Sequence, residues 1–291
     1  MKKNKEKIIK WILSTMGFMT VAITLAILVS LLGESYLFFR NISIVEFFTG
    51  KSWTPLLSPK TYGVLPLISG TLIIVMFSSL ISLPIGLLSA IYLSEYCPKN
   101  IRQILKPILE ILAGIPSIVY GFFALNAITP FIRSFWENTN IYNGLSAAIA
   151  VGIMTIPMVL SLSEDAMQAV PSSLREGAYA LGLTKLEVVR GVVIPAAISG
   201  ILTSFVLAIS RAIGETMIVA LAAGSTPNFT LNPLESIQTM TGYIVQVSTG
   251  DVAAGSIEEQ TLYAVAMVLF FMTLGMNMLS SSISKRFREE Y

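Results

Sequence analysis

Residues Ile201–Ala223 read ILTSFVLAISRAIGETMIVALAA. A run of this kind is long enough to cross a bilayer, whose hydrocarbon core takes about 20 helical residues. Yet Arg211 and Glu215 lie in its middle. A charge at that depth costs at least about 2.5–3.5 kcal/mol on insertion scales, so it normally faces a protein interior or a polar path. Four residues apart, the two share one face of a continuous helix. From these residues alone two roles stay open: a charged pair lining a path, or an ion pair tying two helices together. Both need neighbouring membrane helices.

The rest of the chain supplies them. It is 54% apolar and 12% charged with a mean hydropathy of +0.75, where soluble domains run near 25% charged. Six long apolar stretches stand out, at about 11–33, 66–93, 107–129, 142–163, 192–223 and 261–283. None alternates apolar with polar residues over segments of about ten, as the strands of a barrel would. The expected fold class is therefore an all-α polytopic membrane protein with six transmembrane helices. The first run follows a lysine-rich start but is longer than a signal core and lacks a small-x-small cleavage site, so it reads as an uncleaved anchor.

Basic residues set the orientation. One side receives Lys2, Lys3, Lys5, Lys7 and Lys10, then Lys99, Arg102 and Lys106, then Arg175, Lys185 and Arg190, and finally Lys285, Arg286 and Arg288. The other receives only Arg40, Lys51, Lys60 and Arg133. By the positive-inside rule both termini are expected in the cytoplasm, in a multi-pass plasma-membrane protein. A net charge of +2 distributed in this way is a topology signal and carries no nucleic-acid message.

Several chemistries lack their residues. Histidine is absent, and the single cysteine, Cys97, sits at a helix exit beside Pro98, leaving no disulfide and no His/Cys ligand cluster. No G-x-x-x-x-G-K-[ST] loop is present to cradle nucleotide phosphates, so ATP hydrolysis, if used, is expected from another subunit.

The chain divides into an N-terminal region with the first helix (1–34), an extracytoplasmic segment (35–65), a five-helix core (66–283) and a tail (284–291). Trp53 and nearby phenylalanines either anchor the 34–65 segment among headgroups or form a small packed cap. Gly114 and Pro116 are placed inside the third helix, and Pro84 inside the second, where bends are expected. The fifth loop, about 224–260, carries Glu235, Asp251, Glu258 and Glu259 with no basic residue, which argues weakly against an open anion pore.

The loop at 164–191 is the most informative polar segment. From Pro171 to Pro195 it reads PSSLREGAYALGLTKLEVVRGVVIP. Ser173-Leu174-Arg175-Glu176 and Thr184-Lys185-Leu186-Glu187 both have capping-box form, and Gly182 between them suits a left-handed helix end. Two short helices joined by a tight turn are expected, with Arg175, Glu176 and Lys185 free to meet a partner. An amphipathic loop lying on the membrane is the alternative.

The same segment resembles the EAA loop of the membrane subunits of ABC importers, the binding-protein-dependent transport system inner membrane components. Here the pattern is Glu176-Gly177-Ala178, then Gly182, then Val192-Val193-Ile194-Pro195, with glycine where the family has its first alanine. That glycine should loosen the first turn by up to about 1 kcal/mol. SRAIGETMIVALAAG (210–224), LAGIPSIVYGFFAL (112–125) and SEYCPKNIR (94–102) are similar to the phosphate-specific branch. The separate first helix, the long 34–65 segment and Glu215-Thr216-Met217 look more like the PstC type than its PstA-type paralogue, although both share Arg-x-x-Gly-Glu.

The resemblance implies a type I ABC importer fold. It implies phosphate as cargo, a homologous PstA-type permease, two PstB-type ATPases holding ATP and Mg, and an extracytoplasmic phosphate-binding protein. Arg211 and Glu215 are then expected on the translocation path, and Arg175, Glu176, Gly177, Ala178, Gly182 and Lys185 at the ATPase contact. The chain itself would be no enzyme and bind no cofactor. Another oxyanion as cargo, or a proton-coupled symporter using Glu215, remains the alternative.

Overall fold

The computed structural model describes residues 2–286; Met1 and residues 287–291, part of the expected tail, lie outside the described residues. Helices are the only extended regular structure among them, and the sole strand-like pairing is one bridge between Trp53 and Tyr62. Six segments are long and apolar enough to span a membrane: Ile9–Asn41, Leu65–Tyr96, Ser117–Phe135, Gly144–Gln168, Lys185–Ile213 and Ile257–Ile283.

The first span belongs to α1 (Lys2–Asn41) and stands outside the core. Its apolar side chains are exposed along most of its length, and α13 (Ile257–Arg286) is its main neighbour. The core is built on α3 (Leu65–Ile91), extended by a π-helical turn at Tyr92–Tyr96, packed along α7 (Gly144–Gln168). Glycine sets that separation. A Cβ on Gly86 would come within 2.6 Å of the Val159 Cβ, so only a missing side chain lets the two backbones approach this closely.

Between these spans the structure departs from the expected third helix. Residues Lys99–Ala113 form a separate amphipathic helix, α4, and the membrane segment starts only at Ser117. Gly114 and Pro116 therefore separate two helices and lie inside neither. Pro116, with φ −57° and ψ 136°, is extended and directs the chain into α5 (Ser117–Phe123). A π-helical turn at Ala124–Ile128 joins α5 to α6 (Thr129–Phe135) and completes this span.

Three buried apolar clusters organise the bundle. One, from Phe38, Phe47, Trp53, Tyr62, Tyr243 and Val265 among others, closes one end. Here α2 (Ile44–Thr49) and the segment after it fold onto α12 (Met240–Thr249). Trp53 is 1% exposed and meets Tyr243 edge-on at 5.0 Å, so the 34–65 segment is a packed cap and Trp53 is not a headgroup anchor. A central cluster joins α3, α5, α7 and α11 (Met217–Ala222). The third, containing Ala90, Leu93, Met167, Val170, Ala178 and Val188, holds the 171–195 loop against the opposite end.

Candidate translocation path and coupling surface

The apolar run Ile201–Ala223 is broken. α10 (Ile194–Ile213) stops two residues after Arg211, and α11 starts at Met217, leaving Gly214, Glu215 and Thr216 outside helix. Arg211 occupies the last turn of α10 and Glu215 the break, so the expected single helical face does not exist. Glu215 is 7% exposed. Its carboxylate accepts the Ile218 backbone N–H at 3.3 Å, which places a negative group at the start of α11. Its backbone carbonyl accepts the Thr241 hydroxyl at 2.6 Å, tying the break to α12. Non-helical backbone at membrane depth is tolerated where it is held by protein or lines a cavity, and both conditions hold here.

Arg211 and Glu215 do not form the helix-tying ion pair that was the plainer alternative. The ion pairs among the described residues are Lys60–Glu258, Arg102–Glu164, Lys106 with Glu164 and Asp165, and Arg175–Glu95. Among the described residues the Arg211 guanidinium donates to the Met154 sulfur at 3.6 Å, a weak acceptor. Arg211 is exposed, and with Met154, Met158, Ser210, Gly214 and Glu215 it lines a cavity of about 560 Å³. Most of its five N–H donors are thus free to meet an anion. A planar donor fork matches two oxygens of a tetrahedral oxyanion better than an ammonium does. The Ser210 hydroxyl beside it is buried without a hydrogen-bond partner.

The loop at 171–195 folds partly as read. α8 spans Ser172–Ala180, Gly182 has φ +84°, and α9 begins at Lys185. The second capping box is present: Glu187 accepts both the Thr184 backbone N–H and the Thr184 hydroxyl at 2.7 Å. The first is not formed. α8 starts two residues earlier than that box requires, at Ser172, with Pro171 before it and no side-chain cap. The expected second short helix is also no separate unit, because α9 (Lys185–Val188) runs through a π-helical turn at Val189–Val193 directly into α10. The 171–195 loop is thereby continuous with the helix that carries Arg211.

Within the loop, Glu176, Gly177 and Leu181 are exposed and Lys185 lies over the Tyr96 ring at 4.9 Å. Ala178 is buried in the third cluster. Arg175 corrects the expectation that it faces a partner: its guanidinium turns inward onto Glu95 and the Met167 and Val170 carbonyls.

One network escaped sequence reading. Glu164, with its side chain 0% exposed, sits between Arg102 and Lys106 of α4, Lys106 Nζ lying 2.9 Å from both Glu164 and Asp165. Asp165 and Glu164 push the Lys106 ammonium above its ordinary value, so it stays charged at neutral pH. The available signal was a Glu-Asp pair closing an apolar run, opposite a basic amphipathic stretch; only the tertiary fold pairs them.

Comparison with known proteins agrees with this architecture. Residues 82–289 match the model of the binding-protein-dependent transport system inner membrane component family. A probable ABC transporter permease, YqgH, of Bacillus subtilis (strain 168) is 36% identical over 92% of this chain and 85% of its own. A phosphate transport system permease protein PstC of Mesorhizobium japonicum is 34% identical over 78% of this chain and 74% of its own. The PstC of Haemophilus influenzae is 29% identical over 92% and 89%. Among solved structures, a bacterial ABC transporter importing the acidic polysaccharide alginate superposes with a TM-score of 0.66 at 14% identity, covering 96% of each chain. A subunit of the MetNI methionine transporter gives 0.57 at 18% identity over 78% of this chain and 95% of that one. At such identities these two speak for the fold alone, a multi-pass importer-permease bundle. The chain belongs to the binding-protein-dependent transport system inner membrane components, the permease subunits of ABC importers.

Proposed function

We propose that this chain is the PstC-type half of an ATP-driven phosphate importer. The observation that carries this reading is an arginine without a carboxylate partner, set at a helix break and lining a cavity of about 560 Å³. The PstC-named relatives, similar over most of the chain, supply the choice of phosphate. Arg211 takes two phosphate oxygens in passing. Glu215 holds the break in place and offsets the arginine charge when no anion is bound. A single arginine gives a weak site, as a path requires, since a permeating anion must also leave.

In this reading a PstA-type permease supplies the other half of the path and an extracytoplasmic phosphate-binding protein delivers the anion. Two PstB-type ATPases, holding ATP and Mg, dock on Glu176, Gly177, Gly182 and Lys185. No cofactor or nucleic acid is required of this chain, and both termini lie in the cytoplasm.

The test is reconstitution with these partners, followed by ATP-dependent uptake of competing radiolabelled anions. Phosphate-selective flux that disappears without the ATPase or the binding protein supports the reading. Sulfate-selective flux overturns the cargo and keeps the importer, while uptake driven by a proton gradient alone makes the chain a symporter.

A further inference from the structure

A single guanidinium connects the 171–195 loop to the ends of two spans. Arg175, in the first half of α8, reaches back beneath the bundle. Nη1 donates to the Val170 carbonyl at 2.5 Å, and Nη2 donates to the Met167 carbonyl at 2.7 Å and to a Glu95 carboxylate oxygen at 3.0 Å. Met167 and Val170 lie at the exit of α7, the electronegative end of that helix, where a cation is favoured. Glu95 lies in the π-helical turn that ends α3. The Glu95 side chain is 8% exposed and that of Arg175 19%, so both are shielded from water. The Ser94 hydroxyl also donates to the same Glu95 oxygen, at 3.1 Å.

We infer that Glu95 and Arg175 form the joint through which motion of α8 passes into α3 and α7, making Glu95 a positioning residue for transport. The inference rests on the reading that residues 171–195 meet an ATPase. Glu95 belongs to neither the exposed loop surface nor the Arg211 cavity. Apolar contacts such as that of Ala178 exclude water, but they tolerate sliding. Three convergent charge-assisted hydrogen bonds fix a direction as well as a distance. One of them ends on the Met167 carbonyl of α7 and another on the Val170 carbonyl, two residues beyond that helix. The same helix presents Met154 and Met158 to the Arg211 cavity, and α3 packs along it. Displacing α8 as a body therefore displaces the wall opposite Arg211.

The test uses the complete reconstituted transporter with Glu95→Ala and Glu95→Gln. Three quantities are read together: ATPase co-purification, ATP hydrolysis, and phosphate uptake per ATP hydrolysed. Glutamine keeps an acceptor oxygen for Arg175, so partial rescue by Glu95→Gln separates a directional joint from simple filling of space. We expect wild-type ATPase binding in both variants. Uptake per ATP should fall about five- to tenfold in Glu95→Ala, with an intermediate loss in Glu95→Gln. Unchanged uptake per ATP in Glu95→Ala overturns the joint, and so does an equal loss in both variants. Should Glu95→Ala fail to accumulate, Glu95→Gln decides alone, and wild-type coupling in it overturns the proposal. Gly182→Pro serves as the docking control: retained ATPase binding there refutes the docking reading itself, independently of Glu95.

Discussion

The proposed role of Arg211 on the path accords with how little else the fold asks of its guanidinium. Its guanidinium donates to the Met154 sulfur at 3.6 Å and pairs with no carboxylate among the described residues, so removing it strands none of them. Folding and assembly should therefore survive substitution while transport does not. A hydrogen bond to a charged group contributes about 1.5–3 kcal/mol, which predicts a loss of uptake of about 10- to 100-fold in Arg211→Gln. Arg211→Lys keeps the charge without the fork and should fall between that and wild type. Uptake and subunit co-purification measured on one preparation separate the two effects; normal flux in Arg211→Gln would reject the path role. That a charged residue sat at membrane depth was readable from Ile201–Ala223. Its freedom from Glu215 was not, because i and i+4 spacing predicts a shared face only if the helix continues. The local clue was Gly214 followed by Glu215, whose carboxylate meets the Ile218 N–H at the new helix start.

Elements were legible where the signal was local and chemical. Gly182 was expected to be left-handed and has φ +84°, with no atom within 4 Å of where a Cβ would stand. Substitution there is thus a question of backbone alone. Gly182→Ala should cost about 1–2 kcal/mol and leave docking largely intact. Gly182→Pro cannot adopt that φ and should abolish ATPase co-purification. Equal behaviour of the two variants in a quantitative pulldown would refute this account of the turn. Helix α4 was not legible, because the apolar residues of ILEILAGIPSIVYG merge two helices into one run. Glu164 holds α4 to the bundle, and Arg102 and Lys106 have side chains only 27% and 28% exposed. Glu164→Gln would leave those cations undercompensated, a loss of about 1–3 kcal/mol once partial solvent screening is allowed for. It should appear as earlier proteolysis within residues 99–113 than in wild type, and an unchanged cleavage pattern would show that apolar packing alone holds α4.

At the scale of the whole molecule, charge bias and packing point to the same two ends. Lys60 pairs with Glu258 at the start of α13, and Trp53 packs on Tyr243 of α12, so the 35–65 segment and the loops after α11 share one end. Lys99, Arg102 and Lys106 lie with Arg175 and Lys185 at the other, where Glu164, Glu95 and Tyr96 meet them. Six spans alternate direction, so the richly basic end also receives the start of α1 and the end of α13. The orientation prediction therefore concerns two chemically distinct ends, and one label at each end tests it. Ala180 and Leu231 are both exposed, Leu231 at 84%. With Cys97→Ser as background, Ala180→Cys should resist a membrane-impermeant thiol reagent added outside intact cells and react once the membrane is opened. Leu231→Cys should react in both conditions. Labelling of position 180 from outside would invert the molecule. It would place the 171–195 loop on the wrong side for any ATPase and remove the reading in which docking and the Arg211 cavity belong to one machine.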